Sequence, residues 1–260
     1  MKLEYNKDMQ KNKFKMFNLA CLVLSVIFVL GILWLWKINN NDNKSKNTKA
    51  DKLIVQFDQL KKISNINIEN TNDDIPKEIN LLVPFTSQAP LKDWNQPWQD
   101  ACEEAVVLMF DAYYKEYNLS PLFARDEIIK MVDWEQKKDW GVSIEIEKIK
   151  ELVEYYSNSL DVKIIENPTI EQIKRIIASG NIVLTVADGK VLPNPNFRNG
   201  GPEYHALIIR GYTDKTFITN DPGTQFGNNF EYNYDDLMNA IRDWNDGEVK
   251  NGRKVILVVQ

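Results

Sequence analysis

The sequence predicts an α+β fold: a helical N-terminal half packed on an antiparallel sheet, preceded by one transmembrane helix. Three observations carry this. Helical spacings occupy residues 100 to 157, whereas β-branched runs dominate from residue 161 onward. Two of those runs, EYHALIIRGY and KTFITN, are joined by so short a turn that they must pair antiparallel. Finally, the run Phe17–Trp36 carries no charge and is long enough to cross a bilayer as a helix. Helices first and strands later is not the alternation of a doubly wound sheet.

The first of these segments divides the N-terminal region. Residues 1–16 form a short head, 17–37 the anchor, 38–78 a polar flexible tether, and 79–260 the folded domain. Trp34 and Trp36 end the anchor where amphipathic rings prefer the interface. The following LWLWKINNN offers no small-x-small cleavage site, and Cys21 lies too early for a lipid-modified cysteine, so the anchor reads as uncleaved. Lys2, Lys7, Lys11, Lys13 and Lys15 precede it and Lys37, Lys44, Lys46 and Lys49 follow. That slight excess favours a cytoplasmic head and an extracytoplasmic domain at the cell membrane. The exported part then holds one cysteine and closes no internal disulfide.

Within the domain, INLLVPF is a short strand ended by Pro84. Asp100 to about Tyr117 has helical spacing in Ala105, Leu108, Met109 and Ala112, with Asp100 as N-cap. Two amphipathic helices follow, over Leu122–Glu135 and Ser143–Ser157. DVKIIE is a strand, and TIEQIKRIIASG a helix with a Thr169/Gln172 capping box and a Gly180 stop. NIVLTVA, EYHALIIRGY, KTFITN and KVILVV are strands, and YDDLMNAIRDW is a late helix.

Composition narrows the function. The chain is 43% hydrophobic and 27% charged, enough for a sizeable core. Its net charge is −5, and because lysines outnumber acids in the first fifty positions the remainder is more acidic still, which argues against a nucleic-acid partner. Two cysteines and one histidine cannot assemble a Cys/His zinc site, and no cofactor is implied. Nothing in the sequence sets the oligomeric state.

Three residues stand out. His205 is the only histidine, on one strand, and Asp221 closes the next. A turn centred on Thr213 and Asp214 makes the numbers of opposed residues sum to about 427, which sets His205 opposite Asp221 and Pro222. Facing is left open, because one step of register flips it. Cys102 stands at a helix start, where orphan N–H groups and the dipole favour thiolate over thiol. Glu103 and Glu104 oppose this locally, and EEA is most simply a solvated first turn. Each residue also has a plain alternative: a buried core cysteine, a structural histidine, an Asx-turn aspartate before Pro222. The five tryptophans Trp94, Trp98, Trp134, Trp140 and Trp244 line a groove or pack in the core, core packing being the simpler use for most. VLPNPNFRNGGPEY forms either a cleft wall or a long connection.

The motifs VPFTSQAP, PWQDACEEA, GPEYHALIIRGY and TNDPGT resemble, in that order, those of papain-like cysteine peptidases of the double-glycine-leader (C-thirty-nine-like) family, in its stand-alone bacterial branch. The resemblance covers Ile79 to the C-terminus. It implies a papain-like fold, with Cys102 as nucleophile, His205 as general base and acid, Asp221 as its orienter and an upstream glutamine as oxyanion donor. Gln88 matches the motif and Gln96 matches the usual spacing. The implied activity is a membrane-anchored cysteine peptidase acting on a peptide or protein. A cell-wall peptide hydrolase and a non-catalytic surface-binding domain are the alternatives.

Overall fold

The structure, a computed structural model, describes residues 75–260. The predicted head and anchor, and the tether up to residue 74, lie outside the described residues. Among the described residues no helix is long and apolar enough to cross a membrane.

The described chain is α+β. In order it runs β1 (Ile79–Asn80), α1 (Cys102–Tyr114), α2 (Pro121–Lys137), α3 (Ile146–Ser157), β2 (Val162–Glu166), α4 (Ile170–Ala178), β3 (Val183–Asp188), β4 (Tyr204–Tyr212), β5 (Thr216–Asn220), β6 (Asn228–Asn233), α5 (Tyr234–Ala240) and β7 (Val255–Val259). The strands form one sheet in the order β2-β7-β3-β4-β5-β6, with β1 paired to the end of β4, and every pairing is antiparallel.

Alternation along the strands explains why they read as unbroken apolar runs. Leu184, Val186, Ala206, Ile208, Val255 and Leu257 share one core with α1, α2 and α3. Their neighbours Val183, Ala187, Leu207, Ile209, Ile256 and Val258 share the other core with α4 and α5. Helices cover both faces of β3, β4 and β7, which are buried along nearly their whole length, whereas β6 at the sheet edge keeps exposed polar positions. α1 is buried from Cys102 to Ala112, which makes it the central helix rather than a surface one.

Helix starts differ in how they are satisfied. Ser120 Oγ accepts from Phe123 N–H before Pro121 at the start of α2, and Thr169 Oγ1 accepts from Gln172 N–H at α4. Gly180 follows α4 with φ +88°, the left-handed stop its sequence predicts. Asp100, in contrast, does not cap α1. It ends a separate 3-10 turn, Trp98–Asp100, and accepts from the Gln96 side chain, while Ala101 holds the cap position with no side-chain bond. α3 is capped from a distance: Asp243 Oδ1 accepts from Ile146 N–H at 2.9 Å.

The β4–β5 hairpin forms, but its ladder pairs Ile208 with Asn220 and slips at Arg210. The bulged Arg210 side chain donates to Leu81 O, Val83 O, Asn220 Oδ1 and Asn228 Oδ1. It thereby fastens the entering segment to the sheet beside the β5–β6 turn.

Candidate active site

Asp221 follows β5 directly, and His205 is the second residue of β4. Beyond Asn220 the two strands part, and the side chains close the gap: His205 Nε2–H donates to Asp221 Oδ1 at 2.7 Å. That bond leaves Nδ1 as the ring's bare nitrogen, and Nδ1 is buried with no hydrogen-bond partner. Asp221 Oδ1 also accepts Gly223 N–H at 2.9 Å, so the Asx-turn and the histidine contact coexist on one oxygen. Oδ2 accepts the Tyr232 hydroxyl at 2.5 Å and Asn194 Nδ2 at 3.0 Å. Burial alone raises the Asp221 pKa, but the His205 ring, the Tyr232 hydroxyl and the Gly223 N–H outweigh it and hold the carboxyl below its usual range. The edge of Phe197 covers the His205 ring at 5.2 Å. Gly223 admits this packing, since a Cβ there would stand 2.8 Å from His205 Cε1 and 2.9 Å from Phe197 Cε1.

Tyr232 and Asn194 are absent from the sequence reading. Tyr232 lies on β6, a strand whose run NNFEYN is too rich in asparagine to look like one. The alternation of Phe230 and Tyr232 was its only signal. Asn194 lies in the PNPN stretch before β4, which carries no signal of its own.

Cys102 is the first residue of α1, is 5% exposed, and lines a cleft of about 600 Å³ together with His205, Gln88, Glu103, Tyr204 and Trp244. Its thiol does not bond to His205 in this structure. It donates instead to Glu103 Oε2 at 2.9 Å. The expected lowering of its pKa is therefore reversed. Burial pushes the thiol well up, the Glu103 carboxylate adds to that, and only the Ala206 N–H acts the other way.

The solvated first turn expected of EEA is likewise overturned. Glu103 is 2% and Glu104 4% exposed. Glu103 Oε1 accepts Ile144 N–H at 3.3 Å, and burial followed by the Glu104 charge lifts its pKa to about 8. Glu104 meets Glu135 of α2. Burial raises both carboxyls, Glu135 to about 8; the Glu135 charge raises Glu104 further and the Glu103 charge raises Glu135 further. Among the described residues no Lys or Arg pairs with Glu103, Glu104 or Glu135.

The two glutamines separate clearly. Gln88 is buried in the cleft, and its Nε2 donates to Trp98 O at 3.0 Å and Gln99 O at 2.8 Å, bracing the turn that leads into Cys102. Its Oε1 is buried without a partner. The Gln88 segment docks on the Asp221 turn through Gln88 N–H and Ser87 Oγ, both donating to Pro222 O. Gln96 is exposed and lies outside the cleft lining.

Residues 196–199 and 201–203 form a cleft wall, and Trp94 and Trp244 also line the cleft. Trp98, Trp134, Trp140 and Trp244 pack partly buried against the core. Among the described residues no group of three or more His, Cys, Asp or Glu is placed to hold a metal ion.

Comparison with known proteins places the geometry in context. The model of the Peptidase_C39 like family matches residues 80–248. A solved structure from Bacillus anthracis, described as a candidate C39-like peptidase, is similar at 14% identity and a TM-score of 0.47. The similarity covers 71% of this chain and 98% of that one. Among curated proteins none matches the sequence.

Proposed function

The chain belongs to the Peptidase_C39 like family, and we propose that it is a cysteine peptidase whose nucleophile is Cys102, whose base is His205 and whose orienting carboxylate is Asp221. One observation carries the reading. A histidine locked to a buried carboxylate at 2.7 Å keeps its other nitrogen bare in the cleft that also holds the thiol. The carboxylate fixes the tautomer with hydrogen on Nε2, so Nδ1 is the nitrogen able to take a proton.

In the proposed reaction Cys102 turns from Glu103 and gives its proton to His205 Nδ1. The thiolate attacks the substrate carbonyl, and the imidazolium then protonates the leaving amine. Water, activated by the same nitrogen, clears the acyl-enzyme. The Cys102 backbone N–H, free at the first position of α1, faces the developing oxyanion. Gln88 is the proposed second donor. Both of its hydrogens rest on the carbonyls of Trp98 and Gln99, so this role requires one of those bonds to be given up as the oxyanion forms.

The remaining parts of the proposal rest on sequence. The charge-free run and its slight lysine asymmetry support a single-pass anchor holding the domain outside the cytoplasm, with a peptide or protein as substrate. The test is a digest of a peptide mixture followed by mass spectrometry. Wild type is expected to create new termini that Cys102→Ala and His205→Ala do not. Identical termini from wild type and Cys102→Ala would overturn the assignment.

A further inference from the structure

We infer that Glu103 is a catalytic residue of this site, acting as a neutral acid that donates a hydrogen bond to the Cys102 thiolate. The inference rests on Cys102 being the nucleophile and goes beyond that reading by giving the sulfur a second partner.

The geometry is direct. Glu103 Oε2 is 2.9 Å from Cys102 Sγ, and Oε1 is occupied by Ile144 N–H, so Oε2 is the oxygen that faces the sulfur. Both groups line the cleft. With thiol and carboxyl both protonated, the thiol donates to Oε2. Once the thiol proton moves to His205 Nδ1, the sulfur becomes an acceptor and the bond reverses, with the Glu103 O–H now donating to it. No further proton leaves or enters: Sγ–H breaks, Nδ1–H forms, and Glu103 keeps its hydrogen throughout. The reversed bond is charge-assisted and therefore stronger than the one it replaces.

The surroundings favour the protonated acid. Glu103 interacts with Cys102 and Glu104 of α1, Glu135 of α2 and Tyr204 of β4, while Tyr204 also bonds to Asp243 and His205 lines the same cleft. The carboxyls among them disfavour a further negative charge, and no Lys or Arg among the described residues bonds to Glu103. Burial and the Glu104 charge lift its titration to about 8. Below that value the acid donates. Above it, the carboxylate stands beside the sulfur and repels a thiolate.

The sign gives the test. Alkylation of Cys102 by chloroacetamide, read at the Cys102 peptide, is followed from about pH 6 to about pH 9.5, a range that spans ordinary thiol titration. In wild type the rate is expected to rise with pH, flatten near about pH 8 as Glu103 ionises, and then continue about tenfold behind its earlier course, which corresponds to about one pK unit of like-charge repulsion. Glu103→Gln keeps a donor that cannot ionise, so its rate rises without flattening and stands about tenfold above wild type at the alkaline end. Glu103→Ala lacks the donor and loses about tenfold already near neutrality.

A Glu103→Gln profile that superimposes on wild type would overturn the inference while leaving the nucleophile intact. A wild-type rate that climbs steadily through the range, with no flattening near about pH 8, would overturn it without any variant. A wild-type thiol no faster at neutrality than a free cysteine would instead sink the nucleophile reading itself. The three outcomes are distinct.

Discussion

At the residue scale, the His205–Asp221 pair depends on groups that neither the helix nor the hairpin pattern reveals. Tyr232 and Asn194 supply both donors to Asp221 Oδ2. Tyr232→Phe removes one of them from a buried carboxylate, a loss of about 1.5–3 kcal/mol for a bond to a charged group. Urea unfolding is expected to show that loss, and the acid limb of activity is expected to move to higher pH as the Asp221 carboxyl becomes easier to protonate. An unchanged acid limb would mean that Tyr232 only packs. The places of Cys102, His205 and Asp221 were legible because each carries its own signal: a helix start, a single histidine on a strand, an aspartate closing the next. Glu103 and Glu104 were not. Acids in a first turn are ordinarily solvated and complement the dipole, and only the arrival of α2 and the residue 143–144 segment over that turn buries them.

Between elements, the contact of α1 with α2 is a proton-holding one. Glu135 titrates near 8 in the folded chain against 4.5 for a free carboxyl, and Glu104 is raised in the same direction. The folded state thus binds more protons than the unfolded state between those values. The stability this contributes is full below about pH 4.5 and is lost as pH rises through about 8. Asp221 acts in the opposite sense. Its depressed pKa contributes stability that is present above the ordinary carboxylate value and lost as pH falls through the folded one. The melting temperature is therefore expected to peak in the mildly acidic range and to fall toward about pH 9. Glu104→Gln with Glu135→Gln should flatten that fall, and an unaltered slope would contradict the buried-acid account. Element types were readable wherever apolar period was strong, as in α2, α4 and β3. Caps were readable only when local. Thr169 at α4 was, whereas Asp243 reaching Ile146 across the chain was not, and the Asp100 cap gave way to a separate turn.

For the whole molecule, the helices-then-strands order foretold an antiparallel sheet with helices against it, and that is the arrangement of the described residues. What order does not carry is the exact register. Arg210 bulges out of β4 to hold the entering segment, and the ladder shifts there. His205 and Asp221 are consequently joined by side chains past the end of the paired strands rather than by a ladder pair. The same scale brings the start of α1 to the end of β4, so the thiol, the bare imidazole nitrogen and Gln88 share one cleft. Whether that shared cleft activates the thiol is the central claim. The direct measurement is the chloroacetamide labelling rate of Cys102 at about pH 7 in wild type and in His205→Ala. A base acting on the thiol predicts labelling faster than a free cysteine in wild type and a loss of about a hundredfold in the variant. Equal rates in the two proteins, rising only toward about pH 8.5 as an ordinary thiol does, would contradict it.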